Sequence, residues 1–415
     1  MTERLALDGG TPVRSQPFPP RRLFGAEEKR AVLDLFDEAA EKGDHILGYA
    51  GAQEEGYCGE FSALLGGGFA DGVNSGTSAV FVAFRALELP AFSEVIVPAI
   101  SDPGGVMPVV FGNCIPVPAD CAPGSYNVGA EQIAARLTDR TSAILVAHIA
   151  GLPVDMDPVI ELARKAGIPV IEDCAQAHGA LYKGRPVGSI GNIAAFSTMS
   201  GKHHATGGQG GVVFTRDESL YWSVRRHADR GKPHGMESEN LNVVAALNLN
   251  MDELHAAIGR VQLRKLPGII GRRRELARTI SRGCAELRAV RPIVDAPGCQ
   301  GVYWFLFVDL DTDALTVDVA QFTAALAAEG LPTGDCYRYI PTDMAWARDR
   351  NVFGASAYPW SSPEYAGDPD QIYPLPNIEK TMTRTFRLAL HESWTATDAE
   401  DAITALAKVE RAYLR

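Results

Sequence analysis

The stretch Phe196-Ser-Thr-Met-Ser-Gly-Lys-His-His-Ala-Thr-Gly-Gly-Gln-Gly-Gly211 lies between two short apolar runs, residues 193–196 and 212–214, that are predicted to be buried strands. It carries one lysine, Lys202, and five glycines that let the backbone pass close to other groups. A lysine whose pKa is lowered by its surroundings can form a Schiff base with an aldehyde. A solvated loop lysine between hairpin strands is the alternative, and the stretch alone leaves both open.

The composition limits the classes of protein that this chain can represent. Its 415 residues are 46% hydrophobic, which is enough for two or three globular domains. A net charge of −12 argues against nucleic acid or an anionic membrane as the main partner. No apolar run reaches the length of a membrane span, and no secretion signal follows Met1. These features lead us to expect a cytoplasmic protein.

The cysteines and histidines do not form a recognisable metal or disulfide pattern. The seven cysteines are odd in number, scattered and never in CxxC spacing, as expected of reduced thiols. His203 and His204 are adjacent, and neighbours on an extended loop point in opposite directions. We therefore predict no metal site.

Strands and helices alternate through the first half of the chain. Strands are predicted at residues 94–97, 115–117, 141–147 and 168–173, and helices at residues 129–137 and 155–166. Such repetition indicates an α/β fold with a mostly parallel sheet covered by helices on both faces. Ligands bind such sheets at the carboxyl ends of the strands.

The run Val73-Asn-Ser-Gly-Thr-Ser78 leads into an apolar helix. The free N–H groups and hydroxyls of Gly76, Thr77 and Ser78 would form an anion site suited to a phosphate. An ordinary helix N-cap is the alternative, and Ser and Thr have that role in many helices.

Asp173 ends an apolar strand, where a carboxylate contributes nothing to the strand itself. It could accept a hydrogen bond from a ring nitrogen and keep that nitrogen protonated, as a pyridoxal ring requires. It could instead cap a helix at residues 175–180, with Gln176 as its capping-box partner. In the first case Gln176 could bind a substituent of the ring.

The sequence lacks the motifs of two common nucleotide-binding classes of enzyme. A nicotinamide enzyme would carry GxGxxG after its first strand, and a P-loop enzyme would carry GxxxxGK[ST]; the sequence has neither. An anion site, then an acid, then a lysine is the order expected of a fold-type I enzyme that uses pyridoxal 5'-phosphate (PLP).

Several motifs resemble the DegT/DnrJ/EryC1/StrS family of sugar and cyclitol aminotransferases over nearly the whole chain. Asn74-Ser-Gly-Thr-Ser78 is similar to the family's phosphate turn, and the lysine stretch has its spacing from FS to lysine to the glycine pair. The other similar segments are Leu5-Ala-Leu-Asp-Gly-Gly-Thr-Pro-Val-Arg14, His148-Ile-Ala-Gly-Leu-Pro-Val-Asp-Met-Asp157, Glu172-Asp-Cys-Ala-Gln-Ala-His-Gly-Ala180 and Asn248-Leu-Asn-Met-Asp-Glu-Leu-His-Ala-Ala257.

The resemblance implies a fold-type I transferase with a mostly parallel sheet of the seven-stranded type and a smaller C-terminal α/β domain. It implies that PLP is held covalently by Lys202, with Asp173 at the ring nitrogen and Gln176 beside the ring. The residues that it assigns to the phosphate are Gly76, Thr77, Ser78, Ser197 and, from the neighbouring subunit, Asn248, so that the active form is at least a homodimer. The implied reaction moves an amino group from L-glutamine or L-glutamate to a keto-sugar or keto-cyclitol.

Three positions depart from the family pattern. Members place an aromatic residue over the ring within a run like VPxxTFxAT, but here Asp102 or Pro103 stands there. The usual arginine of NxRMSE is Asn250, and the usual acid before the glycine pair is Gln209. These departures bear on how the ring is held and on which substrates are accepted.

The remaining predictions concern organisation. We expect an arm at residues 1–22, a PLP-binding domain at 23–267 and a smaller domain at 268–415. Residues 43–57 are predicted to form a mobile loop, 302–309 a strand, and 317–329 a helix capped by Thr316 or Asp313. Two successive helices are predicted at 253–266 and from 269 to about 288.

Two alternative functions stay open. One is a PLP- or pyridoxamine-dependent sugar dehydratase, whose relatives tend to carry histidine at the lysine position. The other is a catalytically silent protein of the same fold. Loops 43–57, 229–250 and 337–365 are expected to shape the pocket. Candidate pocket residues are Tyr337, Arg338, Tyr339 and His391, each with a core or surface role as the alternative, whereas His178 and His227 are expected to be packed or capping histidines.

Overall fold

The computed structural model describes residues 4–334 and 336–415; residues 1–3 of the predicted arm lie outside this range. The first part of the chain contains the helices α1 Ala26–Lys42, α2 Ala52–Leu64, α3 Gly76–Ala86, α4 Pro103–Phe111, α5 Ala130–Ala134, α6 Met156–Ala166, α7 Glu218–Ala228 and α8 Glu253–Gly283. Its strands are β1 Phe69–Val73, β2 Glu94–Pro98, β3 Ile115–Ala119, β4 Thr141–Ala147, β5 Val170–Asp173, β6 Leu181–Tyr182, β7 Arg185–Pro186, β8 Ile193–Ser197 and β9 Gly211–Thr215.

Within the described residues, seven strands form one sheet in the order β1-β9-β8-β5-β4-β2-β3. Only β9 runs against its neighbours, and the pairs from β8 to β3 are all parallel. Strands β2, β5, β8 and β9 are buried at every residue because helices cover both faces. The mostly parallel α/β sheet predicted from sequence is confirmed. Its carboxyl edge holds Asp173 at the end of β5 and Ser197 at the end of β8.

The C-terminal part forms a smaller α/β layer. Strands β10 Val290–Pro292, β12 Leu306–Leu310, β13 Thr333–Gly334 and β14 Thr385–Leu388 make an antiparallel sheet, and β11 Cys299–Gln300 pairs with β6. The helices are α9 Val319–Ala328, α10 Ala345–Arg348, α11 Pro376–Met382 and α12 Ala396–Tyr413. Phe322, Phe386 and Trp394 are buried in a core of their own between this sheet and its helices. In the described residues, no helix has the length and hydropathy needed to cross a membrane.

Two predictions about helices were wrong. Residues 43–57 are not an open loop, since α2 begins at Ala52 and buries Tyr57 and Phe61 against the core. Residues 253–283 form the single helix α8, with Pro267 inside it. Buried residues on both sides of the proline, such as Leu266 and Ile270, show that packing outweighs its cost of about 3 kcal/mol. Because α8 crosses residue 267, the division into three domains stays a prediction.

Two boundaries also differ from the predictions. Strand β12 begins only at Leu306, because the N–H groups of Val302 and Trp304 donate to Gly151 and Ala150 instead. The side chain of Asp318, rather than that of Thr316 or Asp313, caps α9 in a capping box. The later start of β12 matters for function, because it leaves Trp304 outside the sheet and close to Lys202.

Candidate active site

Residues 198–210, which connect β8 to β9, are called the lysine loop here. The N–H of Thr198 donates to Gly210, and the N–H of Thr206 donates back to Thr198, so the loop is closed on itself. A Cβ on Gly210 would overlap the hydroxyls of Thr206 and Thr198, which is why a glycine is needed there. The loop is therefore a folded unit that holds its central residue in one place.

Lys202 is only 7% exposed, so it is not the solvated loop lysine that the sequence allowed. Burial lowers the pKa of its ammonium, while the carboxylates of Asp173 and Asp102 act in the opposite direction. A buried lysine with a lowered pKa is the form of this side chain that serves as a nucleophile toward carbonyl carbon.

Asp173 is also 7% exposed, and it lies near enough to Lys202 for the two charges to interact. Burial raises the pKa of its carboxyl, the N–H of Ala175 that donates to its Oδ1 at 2.9 Å lowers it, and the charge of Lys202 lowers it further. Residues 175–180 form turns, so the alternative in which Asp173 caps a helix there, with Gln176 as its capping-box partner, is wrong. The carboxylate is thus held by one short backbone contact and is available to a ligand.

The start of α3 meets the end of β8. The hydroxyl of Ser75 caps α3 by accepting the N–H of Ser78, and the hydroxyl of Ser78 donates to Asn74 at 2.7 Å. A Cβ added to Gly76 would lie 2.5 Å from the Cβ of Ser197, so the two predicted phosphate residues are in contact. The capping and anion-binding interpretations are compatible, because the first turn of a helix keeps further free N–H groups.

Gln176 and Asn248 are both held by protein groups. The Oε1 of Gln176 accepts the N–H of Ala150 at 2.7 Å, and its Nε2 donates to the hydroxyl of Tyr337 at 3.2 Å. The Oδ1 of Asn248 accepts from the side chain of Asn250 at 2.8 Å, and the next residue, Leu249, accepts the N–H of Asn74. Asn248 therefore lies beside the phosphate turn of its own chain, and its contact with a neighbouring subunit stays a prediction.

These features can be compared with known proteins. The model of the DegT/DnrJ/EryC1/StrS aminotransferase family matches residues 28–407. The chain belongs to that family. It is 31% identical over 428 residues to the L-glutamine:2-deoxy-scyllo-inosose aminotransferase of Streptomyces fradiae, covering 99% of this chain and 98% of that protein.

Two further similarities extend the comparison. The dTDP-3-amino-3,4,6-trideoxy-alpha-D-glucose transaminase of Streptomyces venezuelae is 35% identical over 365 residues, 88% of each chain. The solved structure of the aminotransferase from Psychrobacter cryohalolentis superimposes with a TM-score of 0.82 at 29% identity, over 94% of this chain and 98% of that one. The protein is accordingly a PLP-dependent aminotransferase with the fold of that family, as the motifs predicted.

The departures from the family pattern have structural consequences. Asp102 caps α4 by accepting the N–H of Gly104 at 3.0 Å, and Pro103 is the first residue of that helix. The position expected to hold an aromatic ring in members of the family is thus taken by the residue that caps α4, Asp102, or by its first residue, Pro103. Asn250 donates to the carboxylate of Asp229 at 3.0 Å, so the position of the usual arginine is occupied by a neutral side chain that is already paired.

The family's HxxG and ED segments meet in a buried cluster of His148, Glu172 and Cys174. The Nδ1 of His148 accepts the N–H of Val154, and its Nε2 lies 3.2 Å from Glu172. Glu172 also accepts N–H groups from residues 188, 190 and 191. Because these atoms are already hydrogen-bonded within the protein, the cluster fixes the chain around β5 and is a poor metal site.

The candidate pocket residues fall into different environments. Tyr337 is buried beside Gln176, whereas Tyr339 is 47% exposed and Arg338 is exposed. The Nδ1 of His391 accepts the N–H of Ser393 at 3.3 Å. His227 packs in α7 with its Nδ1 2.9 Å from the carbonyl of Ser223, and His178 is buried, as expected of packed histidines.

The sequence analysis did not identify two residues that contact Lys202. The ring of Trp304 lies under the Lys202 amine, with Nζ 4.1 Å from the ring centroid. Arg21 donates to the carbonyl oxygen of Lys202 at 2.7 Å and pairs with Glu392 at 2.8 Å. Trp304 lies 102 residues after Lys202 in the chain, and Arg21 lies 181 residues before it. No local motif therefore connects either residue to the lysine.

Proposed function

We propose that this chain transfers an amino group from an amino acid, L-glutamine or L-glutamate, to the ketone of a sugar or cyclitol, with PLP carried by Lys202 as a Schiff base. The observation that supports this most strongly is that the Lys202 amine and the Asp173 carboxylate are both buried and that their charges interact. Gly76 packs so closely against Ser197 that a Cβ at position 76 would overlap the serine side chain. We call this close contact the phosphate cradle. These residues fit the aldehyde, the ring nitrogen and the phosphate of PLP.

The cofactor, once bound, supplies an electron sink for the bond electrons released at the donor's α-carbon. Asp173 keeps a proton on the ring nitrogen because a carboxylate beside that nitrogen favours its charged form. With the cofactor bound, the Lys202 amine would take the α-proton on Nζ and deliver it to the carbon of the cofactor's former aldehyde group. Burial keeps water away from both groups and strengthens their interaction with charge.

The remaining cofactor contacts follow the same positions. Gly76, Thr77, Ser78 and Ser197 bind the phosphate, and Gln176 lies beside the ring. Asn248 reaches the phosphate of a neighbouring subunit, so that two copies form shared sites in a homodimer. We further propose that the protein works in the cytoplasm.

The substrate classes rest on relatives. The Streptomyces fradiae relative is named for L-glutamine and 2-deoxy-scyllo-inosose, and the Streptomyces venezuelae relative for a nucleotide-linked amino sugar. The first name contains a cyclitol ketone and the second a sugar, which supports a keto-cyclitol or keto-sugar acceptor here.

Half-reactions test the proposal. Protein loaded with PLP is mixed with L-glutamine, L-glutamate or L-alanine while the cofactor absorbance is followed, and keto-cyclitols and nucleotide-linked keto-sugars are then added. A spectral change with a donor that a ketone reverses is expected. Lys202→Ala should lose the spectrum of covalently held cofactor and at least about a thousandfold in rate, whereas Lys183→Ala, a paired surface lysine, should not.

The two alternatives now have less support. The retained Lys202 and the aminotransferase relatives speak against a dehydratase, and His203 and His204 are engaged with Val302 and Tyr57. A silent protein would not need a buried lysine facing a buried acid. Release of water from a deoxysugar without amine exchange would reinstate the first alternative, and wild-type protein that cannot be loaded with PLP would contradict our proposal.

A further inference from the structure

Trp304 makes two separate contacts with the lysine loop. Its indole ring lies under the Lys202 amine at 4.1 Å, which is close enough for a cation–π interaction. Its Nε1–H donates to the carbonyl oxygen of Gly201, the residue before the lysine, at 3.0 Å. One side chain thus touches both the backbone and the reactive end of the same short segment.

The backbone of Trp304 makes hydrogen bonds outside the lysine loop. The backbone N–H of Trp304 donates to Ala150 at 2.9 Å, and its carbonyl oxygen accepts from Arg273 at 3.1 Å. Arg273 is 2% exposed and also donates to the carbonyls of Tyr303 and Leu390. Its charge is balanced by Glu392 at 2.8 Å. The backbone of Trp304 is therefore fixed independently of the lysine loop.

Lys202 has charged and titratable neighbours on several elements. Asp173 and Asp102 favour the ammonium, and Trp304 does so through the face of its ring. The other neighbours are His178, which is buried and feels the lysine charge, and Arg21, which contacts the lysine carbonyl. Trp304 is the neighbour whose ring lies against the amine itself, with Nζ 4.1 Å from the ring centroid.

We propose that Trp304 is a positioning residue that receives the free Lys202 amine and holds it, as an ammonium, at the edge of the site. The inference rests on the proposed function, because the amine is released and recaptured only if the chain transfers amino groups. Trp304 forms and breaks no covalent bond. The proton that Nζ takes from the donor's α-carbon stays on Nζ, over the ring, until it is delivered to the cofactor.

The expected effect can be measured without the cofactor. In cofactor-free protein, the rate of Lys202 modification by an amine-reactive acylating reagent is followed by peptide mass spectrometry between pH 7 and pH 11. Trp304→Leu keeps apolar bulk but removes the π face, and should lower the pKa of Lys202 by about 0.5 to about 1.5. Trp304→Phe should give a smaller decrease, and Trp346→Leu, a half-buried tryptophan in α10, should give none.

Two different substitutions of Trp304 allow the test to be completed even when one variant does not fold. If Trp304→Leu does not fold, the decrease in Trp304→Phe decides the matter. A Lys202 pKa that is unchanged or raised in the folded variants of Trp304 overturns the inference. In loaded enzyme, we also expect kcat to fall at pH values near the lysine pKa with KM for the donor little changed, and a loss of the same size at every pH would overturn the inference too.

Failure of the proposed function would look different. If wild-type protein transfers no amino group to any acceptor while the Lys202 pKa still falls in Trp304→Leu, the proposed function is overturned and the contact between amine and ring stands. If amino transfer is observed and the pKa does not fall, only the role of Trp304 is overturned.

Discussion

The two walls of the site are built in different ways. One wall, made by the ends of β5 and β8 and the start of α3, consists of short side chains and backbone groups such as Asp173, Ser197 and Gly76. The opposite wall consists of long side chains, Trp304 and Arg21, that arrive from distant parts of the chain. The first wall has groups that suit the proposed cofactor, whereas the second contacts the lysine loop at Gly201 and Lys202. We therefore expect the first wall to determine the chemistry and the second to determine where the amine lies.

The largest effect is expected from the first wall. Asp173→Asn keeps the size of the side chain but removes the charge that holds a proton on the ring nitrogen. We expect kcat for amino transfer to fall on the order of a thousandfold while the cofactor still binds. Single-turnover kinetics with the amino donor measures this. A decrease of less than about tenfold would mean that the carboxylate has no electrostatic role and that the two walls do not differ as described.

The next effect tests how tightly the first wall is packed. A Cβ on Gly76 would lie 2.5 Å from the Cβ and 2.7 Å from the Oγ of Ser197, so Gly76→Ala must displace α3 or β8. We expect PLP to bind about 10-fold to about 100-fold more weakly, as measured by equilibrium titration. Gly268→Ala is the matched control, because a Cβ there meets no atom within 4 Å. Equal affinities in both variants would contradict a tight phosphate cradle.

A smaller effect is expected from the second wall. Arg21→Met removes the donor to the Lys202 carbonyl but leaves the pair of Arg273 and Glu392 in place. We expect kcat to fall about threefold to about tenfold, because the loop loses one charge-assisted hydrogen bond at a partly exposed site. Arg22→Met, at an exposed neighbouring arginine, should leave the rate unchanged. If both variants behaved alike, the arm would have no specific role at the lysine.

The same difference between the walls explains what could be predicted from sequence. Asp173, Ser197 and Gly76 lie within contiguous motifs at the ends of regular elements, where periodicity and glycine placement are informative. Trp304 was predicted to lie in a strand, because its segment is apolar and rich in aromatic residues. Its N–H instead donates to Ala150, a tertiary contact that no local pattern encodes. The helix α8 was divided at Pro267 for a similar reason, since local propensity gave no sign of the burial on either side.

The last prediction concerns the residues that support each wall from behind, and it is expected to change stability and not the rate. Glu54 is buried next to Asp71 of β1, the strand that leads into the phosphate turn, and Arg225 pairs with Asp71 at 3.2 Å. Burial, and then the charge of Asp71, raises the pKa of Glu54 to about 8. The second wall rests instead on Glu392; burial raises the pKa of that carboxyl, but the charges of Arg273 and Arg21 outweigh it and hold the pKa below its ordinary value. The two supports should therefore respond to pH in opposite directions.

For Glu54 the stabilising form is the protonated one, because its pKa in the folded protein is above that in the unfolded chain. Its contribution is complete below about pH 4.5 and is lost as the pH rises through about 8. Glu54→Gln should thus increase the free energy of unfolding by about 1 to 3 kcal/mol at pH 9 and by much less at pH 5, as measured by urea unfolding. If Glu54→Gln changed the free energy of unfolding by the same amount at pH 5 and at pH 9, ionisation of Glu54 would not destabilise the folded protein. The first wall would then have no pH-sensitive support, and the contrast with the ion-paired wall would disappear.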